Sequence, residues 1–105
     1  MVIRGGENIY PREVEEFLYG HPDIEDAQVI GVPDDKYGEE VCAWIRMKPG
    51  CPPLTADAVR AFAVGQLAHY KIPRYVLVVD EFPMTVTGKV RKAQMPEESV
   101  KTLGL

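Results

Sequence analysis

Apolar and polar positions change their period several times along this chain, and Gly and Pro mark most of the changes. Residues 1–4 read as a short strand and residues 7–10 as its partner, with Gly5-Gly6 between them. Pro11 suits the first turn of a helix, where a missing N–H costs nothing. Val14, Phe17 and Leu18 then recur at helical spacing until Gly20 and Pro22 stop them. Residues 24–32 (IEDAQVIGV) read as a buried strand, and Pro33-Asp34-Asp35 as a turn that Gly38 closes. Val41, Ala43, Ile45 and Met47 alternate with Cys42, Trp44 and Arg46, the period of a half-buried strand. After a connector containing Pro49, Gly50, Pro52 and Pro53, Thr55 is an expected N-cap, and Val59, Phe62, Ala63 and Leu67 form one helix face. Tyr75 opens the strongest strand signal, YVLVV. A last helix is expected from about Arg91 to Leu103, interrupted by Pro96. The order β-β-α-β-β-α-β-α predicts an α+β fold. Its parts are a small mixed sheet of about three main strands, a short N-terminal two-stranded hairpin, and helices packed on the sheet.

Composition narrows the functional classes. The 105 residues fit one domain, 1–105, and 46% hydrophobic with 27% charged residues is a globular balance. A net charge of −4 argues against a general nucleic-acid partner. Local clusters exist all the same: Lys89, Arg91 and Lys92 on one side, Glu13, Glu15 and Glu16 in an early helix. No apolar run approaches the roughly 20 residues that span a bilayer. Cys42 and Cys51 make neither a disulfide framework nor a metal-ligand spacing. A reducing, cytoplasmic setting, no metal site and a monomeric chain are therefore expected.

Three loops carry the candidate chemistry. In Arg4-Gly5-Gly6-Glu7-Asn8-Ile9-Tyr10-Pro11, the paired glycines permit positive φ and close approach of a ligand to backbone, although an ordinary hairpin turn uses them too. His69-Tyr70-Lys71-Ile72-Pro73-Arg74 combines aromatic, cationic and rigid residues. There His69 and Lys71 also suit a helix C-terminus. Pro83-Met84-Thr85-Val86-Thr87-Gly88-Lys89 holds a lysine beside a glycine in a hydroxyl-rich loop, a suitable point charge for a phosphate or carboxylate. It is not a phosphate-binding P-loop, because Pro83 stands where the first glycine belongs and Val90 where Ser or Thr is needed. No Ser/His/Asp set, metal cluster or triphosphate-cradling loop accompanies these stretches, so they form no self-sufficient catalytic centre.

Taken in order, these motifs resemble the C-terminal domain of the adenylate-forming enzymes: acyl-CoA synthetases, aryl-CoA ligases, luciferases and peptide-synthetase adenylation domains. GGENIYPREVE is similar to the family's opening motif, HPDIEDAQVIGVPDDKYGEEVCAWI to its middle strands, and HYKIPRYVLVVDEFPMTVTGKVRK to its terminal lysine motif. The resemblance runs from Met1 to about Lys92. The GENIYP form is closest to fatty-acyl or aryl-CoA ligases. It implies a two-step reaction, in which a carboxylate and ATP give an acyl-adenylate that the thiol of CoA then attacks. ATP, magnesium and CoA would serve the full-length enzyme. Lys89 is the implied adenylation residue; Gly5, Gly6 and Glu7 are implied to face the pantetheine arm. Ile72, Pro73 and Arg74 are implied to lie near the CoA nucleotide, and Tyr37 stands where some relatives carry arginine. A hinge residue and a large N-terminal domain are implied before Met1 as the partner of this mobile domain. The chain alone is then expected to be inactive. The alternative reading is a stand-alone module holding CoA or a partner protein, while the acidic balance and the lack of exposed aromatic pairs speak against an RNA-binding role.

Overall fold

The computed structural model of the chain describes residues 1–90 and 92–105, so Arg91, expected in the basic cluster and at a helix start, lies outside the described residues. Two short strands, β1 (Val2–Arg4) and β2 (Glu7–Ile9), pair antiparallel with Arg4 opposite Glu7. That register leaves Gly5 and Gly6 alone in the turn at φ +57° and +86°, the two-residue hairpin geometry that needs positive φ at both positions. Helix α1 (Pro11–Leu18) starts on its proline as expected and buries Val14 and Leu18.

The main sheet has three strands in the order β3-β4-β5, with β3 (Ile24–Asp34), β4 (Gly38–Met47) and β5 (Tyr75–Val78). β3 and β4 are a long antiparallel pair whose register runs from Ile24 opposite Met47 to Asp34 opposite Gly38. Pro33 and Asp34 therefore belong to the strand. The tight turn falls one step later, where the Asp34 carboxylate accepts from the N–H groups of Lys36 and Tyr37 at 3.0 and 2.8 Å. β5 joins β4 in parallel, Cys42 opposite Tyr75, which requires a crossover. The proline-rich connector and α2 (Ala56–Ala63) supply it. Thr55 caps α2 as expected, its hydroxyl accepting from the Ala58 N–H at 3.1 Å. The helix ends at Ala63, so Leu67 packs from the following loop rather than from the helix face.

Alternation in β4 predicts one wet face, yet both faces are dry. Val41, Ala43 and Ile45 pack with α1, α2 and the hairpin residues Val2 and Ile9. Cys42 and Trp44 face Ile30, Val32, Phe82 and Met95 on the other side. The reason is α3 (Met95–Leu103), which covers that second face. Pro96 opens this helix instead of interrupting it, and a single 3₁₀ turn over Lys92–Gln94 leads in. Ser99 of α3 is fully buried; its hydroxyl accepts from the Trp44 indole N–H at 2.7 Å and donates to the Met95 carbonyl at 2.7 Å. On the first face α1 reaches β3 through polar groups. Glu15 Oε2 accepts from the Val29 N–H at 2.8 Å, and the Tyr19 hydroxyl donates to Asp26 at 2.6 Å and to the Ala27 carbonyl at 3.2 Å. No described helix is long and apolar enough to cross a membrane.

Candidate functional site

The N-terminal hairpin is clamped onto the β3–β4 turn. Its Ile3 N–H donates to Glu39 at 3.0 Å, and the Gly5 N–H donates to the Tyr37 carbonyl at 2.9 Å. This docking carries Arg4 across to β4, where its Nε is paired with Glu40. The Arg4 guanidinium also lies 3.9 Å from the centre of the Tyr37 ring, a cation–π stack. From the far side Arg74, anchored by its N–H on the Val41 carbonyl at 2.9 Å, brings Nη1 to 3.4 Å from the other oxygen of Glu40. Glu40 is 2% exposed and so sits as a buried counter-charge beneath two guanidinium groups.

Above it opens a cleft of about 320 Å³ lined by Arg4, Lys36, Arg60, His69 and Arg74 around Glu40. Four permanent cations against one carboxylate make it electropositive and suited to an anion, and the arginine forks match the geometry of phosphate oxygens. Ile72 and the Tyr37 ring complete the wall. Tyr75 and then Glu40 hold the Arg74 guanidinium above its ordinary pKa, so it stays charged at any physiological pH. Lys71 does not serve the C-terminus of α2. Its ammonium reaches Glu13 of α1 at 2.7 Å, and that hydrogen bond raises its pKa.

The structure thus brings two of the three sequence-predicted stretches together. Arg4 beside Gly5 and Gly6 shares the cleft with Ile72 and Arg74, while Pro73, between those two in sequence, is buried and outside the lining. Glu7, opposite Arg4 in the hairpin, is exposed. Lys89 is not among the cleft residues. It lies on a separate hairpin loop closed by a bridge between Met84 and Val90. The Thr85 N–H donates to the Lys89 carbonyl at 2.7 Å, and the Lys89 N–H donates to the Thr85 hydroxyl at 3.1 Å. Gly88 at φ +85° makes the turn, and the Lys89 side chain is exposed. Three residues on, Lys92 pairs with Glu15 of α1 at 2.5 Å. Sequence reasoning missed Glu40, Lys36 and Arg60. The one available signal was a carboxylate placed immediately before the apolar run of β4.

Among the described residues no group of three His, Cys, Asp or Glu side chains could hold a metal ion. The model of one family, the AMP-binding enzyme C-terminal domain, matches residues 13–89 of this chain. The chain belongs to that family. This AMP-binding enzyme C-terminal domain is 52% identical over all 105 residues to the mitochondrial medium-chain acyl-CoA ligase of Danio rerio, and covers 17% of that protein. It superposes on ATP-bound MatB from Rhodopseudomonas palustris with a TM-score of 0.87 and 35% identity, over 98% of this chain and 20% of that one. A double mutant of o-succinylbenzoate CoA synthetase from Bacillus subtilis, bound with its product analogue OSB-NCoA, gives a TM-score of 0.79 at 35% identity. That match covers 90% of this chain and 19% of the other. The AMP-binding enzyme C-terminal domain described here therefore spans about one fifth of the length of such relatives.

Proposed function

We propose that the chain acts as the C-terminal domain of an ATP-dependent, AMP-forming acyl-CoA ligase, with a large N-terminal domain as its partner. The single observation that carries this reading is the separation of two functional surfaces on one small fold. A cation-walled cleft joins the Gly5-Gly6 hairpin to the Ile72-Pro73-Arg74 segment, and a lysine stands apart on its own loop. Two surfaces suit a domain that serves two half-reactions in turn.

In the first half-reaction a carboxylate oxygen attacks the α-phosphorus of ATP, forming the acyl-adenylate and releasing pyrophosphate. Lys89, exposed here, is carried into the site of the large domain, where its ammonium stabilises the charge developing on carboxylate and phosphate oxygens. That stabilisation grows as closure excludes water. In the second, the CoA thiolate attacks the acyl carbon and AMP leaves. Gly5 and Gly6, with no side chains, line the path of the pantetheine arm beside Glu7. Arg74, with Ile72 and Pro73 behind it, faces the phosphates at the nucleotide end of CoA. When bound, magnesium would neutralise ATP phosphate charge in the large domain. A fatty or aryl acid is the substrate class favoured by the GENIYP motif. The chain is proposed to be monomeric and cytoplasmic, to be checked by sedimentation and by fractionation, since several relatives carry a mitochondrial name.

The deciding experiment separates the half-reactions in the ligase that contains this chain. Lys89→Ala should slow adenylate formation by roughly 10²–10³-fold, the size of losing one charge stabiliser, and leave thioester formation from supplied acyl-adenylate near wild type. An equal loss in both half-reactions would remove Lys89 from this role.

A further inference from the structure

Glu40 has a place in the cleft that the proposed reaction does not yet use. It is a carboxylate with 2% exposure, and its two oxygens are divided between two arginines from distant parts of the chain: Oε1 takes Arg4 Nε and Oε2 takes Arg74 Nη1 at 3.4 Å. A guanidinium has five N–H donors in a fixed fork. Among the hydrogen bonds of the described residues, Arg4 donates only through Nε and Arg74 only through Nη1. Each fork is therefore held at one edge, with its remaining donors uncommitted beside the cleft. Arg4 is further fixed from above by the Tyr37 ring at 3.9 Å and is only 17% exposed, whereas Arg74 is 52% exposed.

We propose that Glu40 is a positioning residue for the thiol substrate: a buried carboxylate that sets Arg4 and Arg74 at a common angle so that their free donors meet the phosphates of CoA. The inference rests on the proposed assignment of this cleft to CoA. Physically, two cations held this close to one cleft repel each other and would splay toward water. One buried negative charge between them cancels part of that repulsion and fixes both rotamers before the ligand arrives, which lowers the ordering cost of binding. Glu40 itself touches neither acyl-adenylate nor thiol, so its removal should appear in CoA binding alone.

The test uses the complete ligase and five variants: Glu40→Gln, Glu40→Asp, Arg74→Ala, and the Arg4→Ala/Arg74→Ala pair with and without Glu40→Gln. Glu40→Gln should raise KM for CoA by about tenfold, the scale of one misaligned charge-assisted hydrogen bond, with KM for ATP and the ATP–pyrophosphate exchange rate unchanged. Glu40→Asp, which keeps the charge but withdraws it by one methylene, should fold and give a smaller rise. On the Arg4→Ala/Arg74→Ala background the Gln change should add nothing, because a positioning residue acts through its partners. If Arg74→Ala raises KM for CoA while both Glu40 variants leave it at wild type, the positioning role is wrong and the cleft assignment stands. If Arg74→Ala itself leaves KM for CoA unchanged, the cleft assignment fails and the inference falls with it. A Glu40→Gln enzyme that loses both half-reactions equally would show a purely structural carboxylate and overturn the proposal.

Discussion

Gly5 and Gly6 are neighbours in one turn, but a side chain would meet different surroundings at each. A Cβ on Gly5 would sit 3.1 Å from the Tyr37 ring, whereas one on Gly6 would meet nothing within 4 Å. Both positions hold positive φ, where an L-residue costs about 1–2 kcal/mol. Gly5→Ala should thus destabilise the fold more than Gly6→Ala, as read from urea midpoints. Gly6→Leu should keep the fold and selectively slow thioester formation from supplied acyl-adenylate, and unchanged thioesterification would end the pantetheine-face assignment. Cys42 gives a residue-scale prediction for pH. Burial pushes its thiol from 9.0 up to about 11, against a small opposing effect of Ser99. The unfolded chain then loses this proton first as pH rises. Stability is complete below pH 9 and declines toward pH 11, by about 2–3 kcal/mol at most. Urea titrations from pH 8 to 11 should show this slope in the wild type and a flatter one in Cys42→Ala. Tyr19, pushed up to about 12 by burial and by the Asp26 carboxylate, leaves its own decline between pH 10 and 12 in both. Core residues such as Cys42 were legible from their apolar setting. Glu40 was not, because nothing local in a sequence reveals which distant arginines will neutralise a carboxylate.

At the scale of elements, the strands and the first two helices follow from period and punctuation, with small shifts at their ends, and the largest departure has one cause. Alternation in β4 predicted a wet face because the residues of a central strand read like those of a half-buried one when the covering element is far away in sequence. That element is α3, whose proline reads in sequence as a break though it occupies the helix start, where proline is tolerated. Ser99 is the polar fastener between α3 and the sheet. Ser99→Ala removes the acceptor for the buried Trp44 indole N–H and should cost about 1–3 kcal/mol. The check is a lowered urea midpoint with an unchanged slope; no shift would mean that α3 is held by apolar packing alone. The Leu67 discrepancy is of the same kind, a helix-period residue that packs correctly from a loop.

For the whole molecule, the three ordered motifs carried the family, while which of them would share a cleft was decided by tertiary structure. The hairpin reaches Arg74 only because it docks on the β3–β4 turn, and that docking depends on Glu39 and on backbone groups with no sequence signature. In the proposed role the cleft meets the anionic end of CoA from one side only, so the chain by itself should bind CoA weakly or undetectably in calorimetry. Tight binding would instead favour a free-standing CoA-binding module. The contacts from α1 to β3 have a consequence for the chain apart from its partner. β3 ends the sheet, and such a margin offers open N–H and C=O groups on which strands of other molecules can nucleate. Here Glu15 takes the Val29 N–H and Tyr19 takes the Ala27 carbonyl, so the template is occupied at two of its backbone groups. That edge is thereby guarded against edge-to-edge aggregation by one side chain of the first helix and one from the residue that caps it.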